Sequence, residues 1–216
     1  ALARALVFEP RLLLLDEPLS ALDVQARGQI RSLVSSLLAG FEGVRLLVTH
    51  DPVEAMTMAD RLIVLEWGLI TQVGTAEEIR RAPRTRYAAE LVGVNLFFGR
   101  LRPLEEGAAS LASAEGEIVV GRPEGVEREV EGAIGLLRPA DVAIHLARPE
   151  GGSARNLLEG PITSLTVEGD RARIRVASEP PVVAEVTPGS VARLGLREGV
   201  RVWASFKAVE VEVLLP

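Results

Sequence analysis

Four consecutive leucines, Leu12 to Leu15, run without a spacer into Asp16-Glu17-Pro18. A strand with one wet face alternates apolar and polar residues, so an unbroken apolar run suits a strand buried on both faces of a parallel sheet. Parallel strands need crossover connections, usually helical, and the following residues provide them. Asp23 is placed to cap a helix with apolar positions at Ile30, Leu33, Val34, Leu37 and Leu38, stopping at Gly40. Val44 to Val48 reads as the next strand. Asp51 and Glu54 form a capping-box pattern around Pro52 that opens a short helix to Ala59. Leu62 to Leu65 is a third strand, Thr75 with Glu78 a second capping box, and Arg86 to Val92 a last helix ended by Gly93. With an initial helix through Ala1 to Phe8, residues 1–93 are expected to be α/β with a parallel sheet.

After Gly93 the texture changes. Short stretches rich in Val, Ile and Arg alternate with Gly, Pro and Glu, which implies a small all-β barrel or sandwich. The strand candidates are Ile118–Val120, Ile134–Leu137, Val142–Leu146, Ile162–Val167, Arg171–Val176, Val182–Val186, Val200–Phe206 and Val209–Leu214. Gly169-Asp170 marks a hairpin turn, and Ser190 to Leu196 fits one short helix. Two β units in tandem, dividing near Glu150 to Gly152, give an expected domain layout of 1–93, 94–149 and 150–216.

Composition excludes several functions. The longest apolar run is far below the roughly 20 residues of a membrane span. No cysteine is present, which removes disulfides, thiolate zinc sites and a thiol nucleophile. A net charge of −6 with 24 basic residues argues against diffuse nucleic-acid binding, so no nucleic-acid partner is expected and any anion must be held by a local site.

Asp16 and Glu17 stand at the carboxyl end of a strand, the edge of an open α/β sheet where ligands bind. Asp16 can hold Mg²⁺, which prefers oxygen ligands and keeps part of its water shell. Glu17 can then orient or deprotonate an attacking water. Two acidic residues before a proline also begin many ordinary polar loops, so the neighbours decide. Ser20-Ala21-Leu22-Asp23 follows at once, and Val48-Thr49-His50-Asp51 comes after one helix and one strand. In this order they resemble the nucleotide-binding subunits of ABC transporters: Leu-Leu-Leu-Asp-Glu-Pro as the Walker B motif, Ser-Ala-Leu-Asp as the D-loop, Thr-His-Asp as the switch-histidine region. Ala3-Arg4-Ala5-Leu6 is similar to the helix after that family's signature. The resemblance implies ATP and Mg²⁺ as cofactors. It makes Asp16 the magnesium ligand, Glu17 the catalytic base and His50 the γ-phosphate sensor. Ser20 and Asp23 become contacts to nucleotide and dimer partner. The P-loop pattern, the Q-loop glutamine and the Ser-Gly-Gly signature do not occur in the sequence. The expectation is therefore a chain truncated at its N-terminus, part of a transport ATPase and inactive alone.

A second group is Ser153-Ala154-Arg155-Asn156 with Thr187, Ser190 and Lys207. A dehydrated tetrahedral dianion requires compensating cations and short neutral donors, and these residues supply both. They read equally as solvated cations and a helix cap, since composition does not show that they converge. Ser-Ala-Arg-Asn, the Val186-Thr-x-x-Ser190 helix start, Leu194-Gly-Leu-x-x-Gly199 and Val202-Trp-Ala-Ser-Phe-Lys207-Ala208 resemble the Mop unit of molybdate-binding proteins. That family has an OB-like β-barrel that binds its anion at subunit or repeat interfaces. The likeness implies anion contacts from Ser153, Ala154, Arg155, Thr187, Ser190 and Lys207. Leu137-Arg-Pro-Ala-Asp141-Val is similar to the companion TOBE half.

The combined expectation is the ATPase subunit of an importer, for molybdate or tungstate, with a regulatory oxyanion-binding tail. It would work as a homodimer on the cytoplasmic face of the membrane, docked to permease subunits and served by a substrate-binding protein. A non-enzymatic molybdate-binding module, or an importer ATPase for sulfate, iron or polyamine, stands beside it.

Overall fold

The computed structural model describes Val7 and residues 10–216, apart from the side chains of residues 24–26. The expected first helix and the Ala3–Leu6 run lie outside the described residues. The chain divides into two compact units, one up to Val92 and one from Gly93 on.

In the first unit, β1 (Leu12–Asp16) and β2 (Val44–Val48) pair in parallel, with Leu12 opposite Val44 and Asp16 opposite Val48. Helix α1 (Val24–Ala39) is the crossover. Leu13, Leu19, Val34 and Leu38 form the buried centre, supported by Leu15, Ile30 and Met58. The expectation of burial on both faces fails: Leu12 is 59 % and Leu14 61 % exposed, and Val44, Leu46 and Val48 beside them are open. A leucine run creates a demand for cover on each face, and among the described residues α1 and its neighbours satisfy only one.

Asp51 caps helix α2 (Pro52–Met58) by accepting from the amides of Val53 and Glu54. The return half of the expected box is absent, because buried Glu54 instead accepts from the Thr49 hydroxyl at 2.8 Å. The third strand, β3 (Leu62–Glu66), does not join the parallel pair. It forms an antiparallel hairpin with β4 (Leu69–Gly74), a strand that pattern reading passed over. The hairpin turns through Trp67 and Gly68, both left-handed at φ 53° and 78°, the mirror-image turn that matches strand twist. The box of Thr75 and Glu78 forms in full ahead of α3 (Ala76–Arg81), which is followed by α4 (Arg86–Val92).

The second unit is all β apart from one short helix and two 3₁₀ turns. Its strands are β5 (Asn95–Pro103), β6 (Ala108–Ser113), β7 (Gly116–Gly121), β8 (Val130–Leu137), β9 (Ala143–His145), β10 (Asn156–Glu168), β11 (Arg171–Val176), β12 (Val182–Val186), β13 (Arg201–Phe206) and β14 (Glu212–Leu214). They form two five-stranded antiparallel sheets over one core, in the orders β14-β8-β5-β6-β7 and β12-β11-β10-β13-β9. Phe97 and Phe206 stack across that core with centroids 6.4 Å apart.

The sheet orders expose a repeat that is faint in the sequence. Strands β5 to β8 correspond to β10 to β13, and each half passes its last strand to the other: β9 lies against β13, and β14 against β8. Side chains follow the same pairing. Buried Asn95 accepts from the amide of Val183 at 2.7 Å and donates to its carbonyl at 2.9 Å, completing the outer edge of β12. Buried Asn156 does the same for Val119 on the edge strand β7, at 2.7 and 2.8 Å. Gly99 and Gly160 are a further matched pair. A Cβ at either would fall 2.3 or 2.4 Å from a neighbouring carbonyl oxygen, of Ala112 or Ala177, so only glycine lets the strands close.

Candidate functional site

Because β1 and β2 are parallel and in register, the residues following them emerge at the same edge. Asp16 ends β1 with an exposed side chain that has no protein partner among the described residues. Its carboxylate suits Mg²⁺ as one oxygen ligand, the remainder of the coordination shell being left to phosphate and water. Glu17 continues the ladder by donating its amide to the Val48 carbonyl at 2.9 Å. Its backbone is left-handed at φ 45°, a strained position for a residue with a Cβ and of the kind concentrated at functional sites.

That turn aims the Glu17 carboxylate at the loop after β2. One oxygen, Oε1, accepts from the backbone amide of His50 at 3.1 Å and pairs with His50 Nδ1 at 2.6 Å. The hydrogen bond to Glu17 and its negative charge hold the His50 imidazole above the usual histidine pKa, with smaller help from Asp51 and Glu54. Ser20 folds back onto the same element, its hydroxyl donating to the Glu17 carbonyl at 2.8 Å. Asp23 stands exposed just before α1. The structure therefore gathers Asp16, Glu17, Ser20 and His50 at one sheet edge, with Asp23 at the end of the same loop. This arrangement can position a water at a carboxylate and exchange a proton with an imidazole.

The second group is placed differently. Asn156 opposes Phe206 at the end of the β10–β13 ladder, so Arg155 and Lys207 extend that pairing by one residue and share an edge. Both cations are engaged. Arg155 Nη2 is 2.7 Å from Glu106 Oε2 in the loop between β5 and β6, and Lys207 Nζ is 4.0 Å from Glu210 Oε1. Ser153 and Ala154 precede them in an irregular segment. Thr187 and Ser190 lie elsewhere. Val186, which precedes them, opposes Ala172 beside the β10–β11 hairpin, at the far end of the 13-residue strand β10. There Thr187 accepts from the Ser190 amide at 3.2 Å and caps helix α5 (Pro188–Leu194). Within one chain the six residues make two clusters.

Sequence reading missed Glu106, the counter-ion of Arg155, and noted Arg138 only within the TOBE-like run from Leu137, not as the counterpart of Lys207. Arg138 pairs with Asp141 across a 3₁₀ turn as Lys207 does with Glu210. Its guanidinium is held above the usual arginine range by Asp141 first and by the charge of Glu210. The shared spacing, a cation with an acid three residues later and then Val, was the available signal. No sequence signal marks Glu106.

Residues 152–213 match the TOBE domain family. The whole chain is similar to import ATP-binding proteins. With the molybdenum import ATP-binding protein ModC of Mycobacterium tuberculosis it shares 36 % identity, covering 98 % of this chain and 57 % of the relative. With the Fe(3+) ions import ATP-binding protein FbpC 2 of Rhizobium meliloti it shares 35 %, covering 99 % and 54 %. With the sulfate/thiosulfate import ATP-binding protein CysA of Methylococcus capsulatus it shares 41 %, covering 67 % and 40 %. A solved structure of the cytoplasmic molybdate-binding protein ModG aligns with 56 % of this chain and 96 % of its own, at TM-score 0.48 and 24 % identity. The chain belongs with the ATP-binding subunits of ABC importers. It carries their TOBE domain, and it spans just over half the length of the first curated relatives it matches. Among the described residues no helix is long and apolar enough to cross a membrane.

Proposed function

We propose that this chain is part of the ATP-hydrolysing subunit of a molybdate importer, with a C-terminal unit that binds the oxyanion as a regulatory ligand. The observation that carries the hydrolytic part is the 2.6 Å Glu17–His50 pair at the ends of two parallel strands. Magnesium, when bound, would neutralise charge on the transferring phosphoryl group, and Asp16 is the residue here that would hold it. Glu17 acts as the base that takes a proton from the attacking water at its carboxylate. His50 shares its proton with Glu17 and faces the departing phosphate, which ties the nucleotide state to the position of its loop. Ser20 and Asp23 meet nucleotide and partner across a homodimer that docks on permease subunits at the cytoplasmic face of the membrane; a substrate-binding protein is an indirect partner, reached through the permease.

The choice of molybdate rests on the Ser153–Asn156 segment, on Lys207 at the same sheet edge, and on a relative whose name is molybdenum import. Relatives named for ferric iron and sulfate match comparably, so cargo is decided by binding. In the protein from the complete reading frame, Glu17→Gln is expected to cut ATP turnover about 10²–10⁴-fold while nucleotide still binds. Titration with molybdate, tungstate and sulfate should give micromolar binding for molybdate and tungstate and weaker binding for sulfate. Equal turnover in Glu17→Gln sinks the hydrolytic assignment, and tight sulfate binding reassigns the cargo.

A further inference from the structure

Arg27 lies four residues into α1, near the helix end where the backbone dipole disfavours a cation. Its side chain is nevertheless held inward. Nη2 donates to the carbonyl of Leu22 at 3.1 Å, and Nη1 lies 3.6 Å from Asp51 Oδ2. Arg31, one turn on, approaches the same oxygen at 3.7 Å. The Nε atoms of both arginines are buried without a hydrogen-bond partner, so the guanidinium heads are fixed by the groups at their tips.

Those groups belong to the two loops of the candidate site. Leu22 closes the turn that begins at Glu17: its amide donates to Leu19, and Ser20 donates to the Glu17 carbonyl through both amide and hydroxyl. Asp51 anchors the other loop, accepting from Val53 and Glu54 through Oδ1 while its own amide donates to the Thr49 hydroxyl. His50 lies between Thr49 and Asp51 and returns to Glu17. Glu17, the 20–23 loop, Arg27, Asp51 and His50 thus form a closed circuit of contacts.

We propose that Arg27 is a positioning residue that couples the loop of Ser20 to Asp23 with the loop carrying His50, so that a displacement of either moves the other. The planar guanidinium fork can hold a carbonyl and a carboxylate at once, which a lysine ammonium on a flexible stem cannot do in the same geometry. Among the described residues the Arg31 head pairs with Asp51 alone, and it serves as the internal comparison. The meaning of the coupling for catalysis rests on the function proposed above; the coupling itself does not.

Amide hydrogen exchange on the full chain separates the two. Arg27→Gln is expected to accelerate exchange at Ser20 and Leu22 and at Val53 and Glu54 together, by tenfold or more. Arg31→Gln should accelerate only Val53 and Glu54. Arg27→Lys keeps the charge and tests the fork with less risk to folding, and should leave Ser20 and Leu22 fast. Protection of the β1–β2 ladder reports that the unit is folded in each variant. Unchanged exchange at either loop in the arginine-27 variants, or the same pattern from Arg31→Gln, overturns the proposal. In the complete protein Arg27→Lys should lower kcat about tenfold with KM for ATP unchanged, and an unaltered kcat removes the catalytic role. Should the complete wild-type protein fail to hydrolyse ATP, the functional reading falls while the exchange result still decides the coupling.

Discussion

The two candidate sites are assembled by opposite means. At the edge of β1 and β2, parallel register alone sets Asp16 level with Val48, and the residues just past each strand meet without help from distant sequence. In the second unit, Arg155 and Lys207 share one edge while Thr187 and Ser190 cap a helix at the other end of β10. Among the described residues the contacts of the first group lie at one sheet edge, whereas the second group is divided.

The sharpest break in that comparison is loss of either cation. Arg155→Ala and Lys207→Ala should each weaken molybdate binding at least tenfold by calorimetry, since a charge-assisted hydrogen bond contributes roughly 1.5–3 kcal/mol. Thr187→Ala should weaken it too if the two clusters meet in an assembly. Binding unaffected by Thr187→Ala would confine the site to the Arg155 edge.

Of comparable size is the effect on the stability of the interlocked halves. Asn156→Ala leaves the amide and carbonyl of Val119 without their partner, and Asn95→Ala does the same to Val183. Each variant should cost roughly 1–3 kcal/mol for each group left unpaired and lower the melting temperature of the whole unit. A variant that melts only its own half would show that the halves are independent.

Smaller still, Glu106→Gln frees Arg155 from its 2.7 Å counter-ion. It should raise oxyanion affinity by about twofold to fivefold, because an exposed pair contributes only about 0.2–1 kcal/mol. Unchanged affinity would mean that Arg155 does not contact the anion.

The mildest test concerns pH. The His50 pKa is raised in the folded chain, so the Glu17 pair is fully formed below the ordinary histidine pKa and is lost as pH rises through the raised value. In an NMR titration Glu17→Gln should return His50 toward its ordinary value, and a His50 pKa unaltered by that change would deny the pair.

Legibility differed between the regions for related reasons. Caps, turn glycines and buried runs are local, so α1, α4, β2, β11 and β12 were readable from sequence to within a residue. Long-range pairing is not local. Nothing in Leu62 to Leu65 says whether the strand joins β1 or folds back on β4, and the four leucines of β1 do not reveal that one face stays open. Strand β6 escaped because its buried positions include small residues, Ala109 among them, which carry little pattern although fully buried. That Asp16, Glu17, Ser20 and His50 would lie at one edge was legible, since they stand in contiguous motifs at the ends of two strands. The split of the residues expected to bind an oxyanion was not, because it depends on the order of strands in a sheet.

The exchange of end strands also determines what each half can be without the other. Lys207 leads through a 3₁₀ turn into β14, which is laid beside β8 in the opposite half. Separating the two halves would therefore leave each five-stranded sheet short of one strand, so neither half carries a complete sheet of its own.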